Sequence, residues 1–367
     1  MKIRNLRLRS FRNLKDVSVV FSPGLNIILG SNGQGKTNLL EAVYYLSTTK
    51  SHRNVDDLQL ITNGEEFATL DCKVLSQQHE VSYSAVIHRK GKTLCINQQP
   101  LRKVSEFVGK INAVIFSPLD MNLFDSSPGT RRRLLDIELG KMSTLYVTFL
   151  NQYSQLLKNR NNYLKQGIND LNLLEAINQQ MIAPQLEVIK QRNYLVNRFN
   201  QEITPLYQQL SNTNSTIKID YLSVIPYNDD EQVMIEQLIA KQKSYQERDL
   251  LTKQTNFGIH REDLAFWLDG QLVENYASQG QKRMIIIALK LALLKIIQEK
   301  TDETPILLLD DVLSELDLNH RNALIKLLPD SVQTIITATD RNNIEPELLE
   351  KAQLLKIEKG CVSTWMK

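Results

Sequence analysis

The octapeptide Gly30-Ser31-Asn32-Gly33-Gln34-Gly35-Lys36-Thr37 restricts the possible folds of this chain more than any other segment. It follows the apolar run LNIIL at 25–29 and precedes a stretch in which Leu39, Leu40, Val43 and Leu46 recur at helical spacing. Strand, glycine-rich loop and helix in that order make a phosphate loop of the form G-x-x-x-x-G-K-[ST]. The glycines let the backbone curl so that successive N–H groups and the helix N-terminus face an anion. Lys36 is then placed for the β- and γ-phosphates of a nucleotide, and the Thr37 hydroxyl for Mg²⁺. A fold built around this unit is α/β.

A phosphate loop needs an acidic partner. Residues 306–311, ILLLDD, read as a buried strand that delivers carboxylates at its C-terminal edge, where ligands bind in open α/β sheets. Asp310 is the expected metal-site residue, acting through a water, and Asp311 the residue that orients or deprotonates an attacking water. Between the two motifs lies Ala277-Ser278-Gln279-Gly280-Gln281-Lys282-Arg283, just ahead of a long apolar helix expected over 279–298. Ser278 suits a helix N-cap and Gly280 a close backbone approach, as in any capped helix. With a Walker B strand some 24 residues later, S-x-G-Q also resembles the signature motif of ABC-type ATPases. Ser314-Glu315-Leu316-Asp317 looks like their D-loop. Thr339-Asp340 stands where transporters place a switch histidine, so that part of the machinery is altered here.

Elsewhere, residues 67–75, 80–88 and 93–97 read as an antiparallel meander with turns at 76–78 and 90–92. From 131 to 210 strand signals vanish. Leu186, Ile189, Val196, Phe199, Ile203, Leu206 and Leu210 form a coiled-coil-like stripe, which fits either a protruding helical hairpin or ordinary packed helices. Ile217, Ile219 and Tyr221 begin another strand, and Asp269-Gly270 marks a two-residue hairpin between 264–268 and 271–274. A helix over 319–328 and a strand over 334–337 follow. With 42% apolar and 23% charged residues, the chain has material for a real core.

Charge is uneven: 16 basic against 10 acidic residues over 1–120, balance over 121–250, and 14 against 17 over 251–367. The N-terminal excess fits a nucleic-acid-facing surface and equally fits edge-strand Lys and Arg that deter aggregation. Arg131-Arg132-Arg133 is open to the same two readings, as a DNA contact or as a helix-start cluster pairing with Asp136 and Glu138. His52 and Arg53 are likewise ambiguous. Cys72, Cys95 and Cys361 are too dispersed for metal-ligand spacing and leave one unpaired, which points to a reducing compartment. The first residues alternate basic and apolar types and do not lead into an apolar leader core. The apolar run 284–297 is interrupted by Lys290 and Lys295, so neither secretion nor a membrane partner is expected and a cytoplasmic location is.

On these motifs, and on KIRNLRLRSFRNL, VIFSPLDMNLFDSSPGTRRRLLDIEL, FGIHREDLAFWLDG, YASQGQKR and LLLDDVLSELD, the whole chain resembles the RecF family, bacterial recombination-repair ATPases of the SMC-like ABC class. The resemblance implies an ABC-type P-loop ATPase head, with a mixed sheet and an antiparallel β subdomain, built from residues 1–125 and 250–367. A mostly helical arm domain, 126–249, is inserted between them. It implies that Arg12 contacts nucleotide phosphate. It also implies that two copies sandwich two ATP molecules, each held by Lys36 of one chain and by Ser278, Gly280 and Gln281 of the other. The implied partners are gapped or double-stranded DNA, a second copy of the chain, and mediator proteins of the RecO/RecR type. The implied roles are slow ATP hydrolysis, recombinase loading and support of SOS induction. No Gln stands near Phe116-Ser117-Pro118, where the class places its Q-loop. The alternatives are a nucleotide-binding subunit of a transporter, a scaffold that binds ATP without cycling, and an anti-phage ATPase with a nuclease, for which no spare carboxylate cluster remains.

Overall fold

The computed structural model describes residues 1–77, 79–167, 170–341, 344 and 346–364; Gln78 of the expected 76–78 turn lies outside them. The chain opens with β1 (Lys2–Phe11), β2 (Leu14–Val20), β3 (Leu25–Leu29) and α1 (Lys36–Thr48). It continues with β4 (Phe67–Ser76), β5 (His79–His88), β6 (Gly91–Ile96), β7 (Gln99–Pro100) and β8 (Ala113–Phe116). Helices α2 (Asn122–Asp125), α3 (Pro128–Met142), α4 (Thr144–Gln166) and α5 (Leu171–Ser211) come next. Then follow β9 (Ile217–Leu222), α6 (Glu231–Thr252), β10 (Asp263–Leu268), β11 (Gln271–Leu272), α7 (Val273–Tyr276) and α8 (Gln279–Thr301). The last elements are β12 (Ile306–Leu309), α9 (Leu318–Leu327), β13 (Thr334–Ala338), α10 (Pro346–Lys351), β14 (Gln353–Glu358) and β15 (Cys361–Thr364).

Two compact units result, one of residues 1–121, 205–214 and 279–367, the other of 122–204 and 215–278. The expected partition therefore shifts. Its first boundary moves from 125 to 121, and residues 250–278 pack with the helical unit instead of the head. The reason is local: β10 pairs antiparallel with β9 over its whole length, so the strand expected to return to the head completes a small sheet of the second unit.

In the first unit, β14, β3, β13, β12 and β8 lie side by side and parallel, with β15 antiparallel at one edge. A strand buried on both faces should read as an unbroken apolar run, and β12 (ILLL) and β8 (AVIF) do so; β13 (TIITA) is buried at every position as well but carries Thr334 and Thr337. The second sheet of this unit, β2-β1-β4-β5-β6-β7, is antiparallel. Its first strand alternates buried Leu6 and Leu8 with exposed Arg7 and Arg9. Ile3 is also buried, three residues before Leu6, because the register shifts between Ile3 and Asn5. Helix α8 is apolar nearly all round and accordingly buried, with Lys290 Nζ neutralised by Asp120 Oδ1 at 2.9 Å.

The second unit is held by polar chemistry inside an apolar frame. The stripe residues Leu186, Ile189, Val196, Phe199 and Ile203 are all buried. Arg192, 1% exposed, reaches Glu262 at 2.6 Å and Asp136 at 2.8 Å. Arg131 makes two parallel bonds to Asp263, at 2.6 and 2.9 Å, and a second ion pair, with Glu274. Arg131 is 5% exposed and ties α3 to β10, which makes it a structural ion-pair residue with Asp263 and Glu274 as partners in place of the expected Asp136 and Glu138. The strand expected over 271–274 stops at Leu272, where Val273 begins the short helix α7.

Candidate nucleotide-binding site

The loop between β3 and α1 closes on a cavity of about 280 Å³ in the first unit. Gly33 and Gly35 adopt φ of +80° and +114°, which side chains rarely tolerate. A Cβ on Gly35 would also stand 2.7 Å from Leu14 Cδ2, and one on Gly30 would stand 2.5 Å from the Ile357 carbonyl oxygen. The loop therefore runs pressed between the β1–β2 turn and strand β14. Asn13 Nδ2 donates to the Gly33 carbonyl at 3.2 Å, and Lys359 N donates to Gln34 Oε1 at 2.5 Å. The Gln34 side chain thus ties the loop to the turn that precedes β15 and leaves its backbone N–H to the loop.

Lys36 lines the cavity while Nζ donates to the Gly30 carbonyl at 2.6 Å and the Ser31 carbonyl at 3.1 Å. Burial lowers its pKa, opposed by the charges of Asp311 and Asp310. Across the cavity the Thr37 hydroxyl donates to Asp310 Oδ1 at 2.9 Å. Burial raises the Asp310 pKa and the nearby Asp311 charge adds to this, while hydrogen bonds from Thr337 and Thr37 and the charge of Arg53 oppose it. Asp311, with φ of 54°, also lines the cavity, and its Oδ1 is buried without a hydrogen-bond donor.

An unpaired buried acceptor beside a hydroxyl and a second carboxylate is an all-oxygen donor set of the kind a hard divalent cation takes. Among the described residues no group of three or more His, Cys, Asp or Glu could hold a metal alone. A cation bound here would complete its shell with phosphate oxygens and water, as Mg²⁺ does.

Arg12 does not line this cavity. Its guanidinium makes two 3.0 Å bonds to Glu41, which is fully buried on α1, and a third to the Gln59 carbonyl. Burial pushes the Glu41 pKa up, but hydrogen bonds from Arg12 and Ser51 and the charge of Arg53 outweigh it and hold the carboxyl below its usual value. The arginine that does line the cavity is Arg53, its Nη1 3.0 Å from Asn38 Oδ1. Arg12 is thus held by Glu41 beside α1 and is not among the residues that line the cavity. Thr337, Asn38 and Asn13 were invisible as site residues because they lack a motif of their own. Near the expected Q-loop position, Asp120 Oδ2 accepts the Ser117 N–H at 2.7 Å while Oδ1 pairs with Lys290, and neither Ser117 nor Asp120 lines the cavity.

Ser278 is the last residue of the second unit, and Gly280 and Gln281 lie in the first turn of α8, in the first unit. All three are exposed, and none lines the phosphate cavity. Arg283, two residues on, donates to the Glu315 carbonyl at 2.7 Å, which joins the start of α8 to the D-loop-like segment.

The profile of the RecF/RecN/SMC N-terminal domain family matches residues 2–362. The chain is 37% identical, over 99% of both sequences, to the DNA replication and repair protein RecF of Lactobacillus johnsonii. RecF of Listeria monocytogenes matches at the same identity and coverage. A solved RecF–ATP structure, described as a recombination mediator protein of the RecFOR pathway, superimposes with a TM-score of 0.92 at 32% identity, over 100% of this chain and 98% of that one. The Smc head of Pyrococcus yayanosii, with its coiled coil and joint, shares the fold at a TM-score of 0.57 and 15% identity, over 100% of this chain and 97% of that chain. The architecture is that of an ABC-type ATPase head.

Proposed function

The chain belongs to the RecF family of RecF/RecN/SMC-type proteins, and from that premise we propose that it is an ATP-driven clamp that closes as a homodimer on DNA during replication and recombinational repair. The observation that carries this reading is the split of its chemistry: Lys36, Thr37, Asp310 and Asp311 share one cavity, whereas Ser278, Gly280 and Gln281 stand exposed outside it. A helix N-terminus with a serine in front of it suits an anion, and a second copy supplies one by presenting its bound triphosphate.

Lys36 and the loop N–H groups hold the β- and γ-phosphates, and Arg53 adds a second positive charge. Mg²⁺, held by Thr37 and Asp310, neutralises charge on the phosphate oxygens when bound. Asp311 accepts from and orients the attacking water with its unpaired Oδ1. An Asp is one methylene shorter than a Glu, which makes water placement less favourable and turnover slow. Loss of the γ-phosphate removes contacts that join the two copies, so hydrolysis reopens the clamp. Binding of gapped or junction DNA, cooperation with mediators of the RecO/RecR type, recombinase loading, support of SOS induction and a cytoplasmic location complete the reading. Among the described residues no helix is long and apolar enough to cross a membrane.

Sedimentation with and without ATP and gapped DNA tests the clamp. Wild type should dimerise only with ATP, Lys36→Met and Ser278→Arg should stay monomeric, and Asp311→Asn should stay dimeric on DNA. A monomer with full turnover would refute it.

A further inference from the structure

Thr337 belongs to neither the phosphate loop nor the acidic pair, yet its hydroxyl touches both acidic residues. It is fully buried on β13, beside β12. Oγ1 donates to Asp310 Oδ1 at 2.9 Å and accepts the backbone N–H of Asp311, also at 2.9 Å. A hydroxyl has one hydrogen and two lone pairs. With the Asp311 N–H on its acceptor side, that hydrogen is committed to Asp310. Asp310 Oδ1 therefore takes two hydroxyls, Thr37 from α1 and Thr337 from the adjacent strand.

The bond to Asp311 acts on the backbone. Asp311 leaves β12 with φ of 54°, a left-handed conformation that a non-glycine residue keeps only when its surroundings enforce it. The Thr337 oxygen fixes the N–H of that residue, and so the direction in which its side chain departs. Valine would fill the same space in a buried strand with at least equal β propensity. A buried hydroxyl spent on two neighbouring acids is explained by those acids.

We infer that Thr337 is a positioning residue for hydrolysis, which locks the metal-site carboxylate of Asp310 and the water-orienting carboxylate of Asp311 into one arrangement. The inference rests on the ATP reading above. It predicts that the hydroxyl governs turnover and the Mg²⁺ requirement and leaves nucleotide capture by Lys36 and the loop alone.

The test is a series, Thr337→Ser, Thr337→Cys and Thr337→Val, in the full-length protein. DNA-stimulated ATP hydrolysis is measured beside binding of a fluorescent ATP analogue with and without Mg²⁺. Ser keeps the hydroxyl, Cys offers a weak donor, and Val offers none. The expected order of kcat is Thr and Ser together, then Cys, then Val, with Val lower by about tenfold to a hundredfold. Mg²⁺-free affinity should stay within about twofold of wild type, and the Mg²⁺ needed for half-maximal turnover should rise in Cys and Val. Equal kcat across the series overturns the inference, as does a Mg²⁺-free affinity that falls in step with kcat. Should Val fail to fold, Ser against Cys decides: equal turnover by these two is the overturning result. A wild type that binds and hydrolyses no ATP refutes the ATP reading itself, whatever residue stands at 337.

Discussion

The Thr37 hydroxyl and the Asp310 carboxylate, 273 positions apart in the chain, meet at 2.9 Å. That contact joins the first turn of the phosphate-loop helix to the end of a parallel strand and sets side by side the two oxygens that would hold a cation. Everything charged in the cavity is arranged around it: Lys36 and Arg53 as cations, Asp310 and Asp311 as acids.

Arg53→Ala should weaken triphosphate binding about tenfold, the loss of one charge-assisted hydrogen bond, with a smaller effect on diphosphate. Glu41 would still be paired with Arg12 and Ser51, so the thermal midpoint should barely move. Titration with ATP and ADP checks this; equal losses for both would remove Arg53 from the γ-phosphate.

Gly360→Val should damage nucleotide binding from outside the motifs. Gly360 has φ of +75°, and a Cβ there would stand 2.6 Å from the Asn13 carbonyl oxygen. Strain of about 1–3 kcal/mol would be relieved by moving the β1–β2 turn, whose Asn13 holds Gly33. ATP affinity should fall about tenfold while folding cooperativity persists; an unchanged affinity would show that the loop is indifferent to this brace.

Arg131→Ala should act on stability. Removing one partner of a buried ion pair costs about 3–5 kcal/mol, and Arg131 serves both Asp263 and Glu274. Arg131→Lys should not rescue it, because the two-pronged match to Asp263 is lost. Denaturant unfolding checks the loss. A stable Arg131→Ala with weakened, less salt-dependent DNA binding would restore the DNA-contact reading.

Acid should destabilise the second unit through His260. Burial lowers its pKa from 6.5 to about 4, against the opposing effect of its bond to the Thr255 carbonyl. The ring is neutral in the fold, with Tyr153 Oη 2.6 Å from Nδ1 and the Thr255 carbonyl 3.2 Å from Nε2. Unfolding lets it take up a proton below pH 6.5, so its contribution is complete above that value and is lost as pH falls toward 4. The loss amounts to about 3 kcal/mol. Unfolding curves between pH 7 and 4 should slope accordingly, and His260→Asn should flatten the slope; parallel slopes would refute the assignment.

What could be read from the sequence was whatever is contiguous. LNIIL, the glycines and Lys36-Thr37 lie in one stretch, and the expected β3, loop and α1 match the observed ones. Strand β14 went unseen because QLLKIE lacks a clean period and acquires its meaning only beside β3. The place of Arg53 in the cavity was not legible, since it depends on Asn38 and on the buried Glu41, with which both Arg12 and Arg53 pair. Thr337 matters through the adjacency of β12 and β13, a relationship that no local pattern encodes.

Strand β3, which carries the phosphate loop, is flanked by β13 and β14, with Ile27 opposite both Ile336 and Leu354. During synthesis, the strand at 25–29 precedes both of its partners, at 334–338 and 353–358, by some three hundred residues. The nucleotide pocket is thus a late product of folding, and a chain cut short before β14 would keep every motif yet lack the strand that walls in Gly30. Such distant pairing is slow to form, and an apolar strand left unpaired in the meantime is open to aggregation.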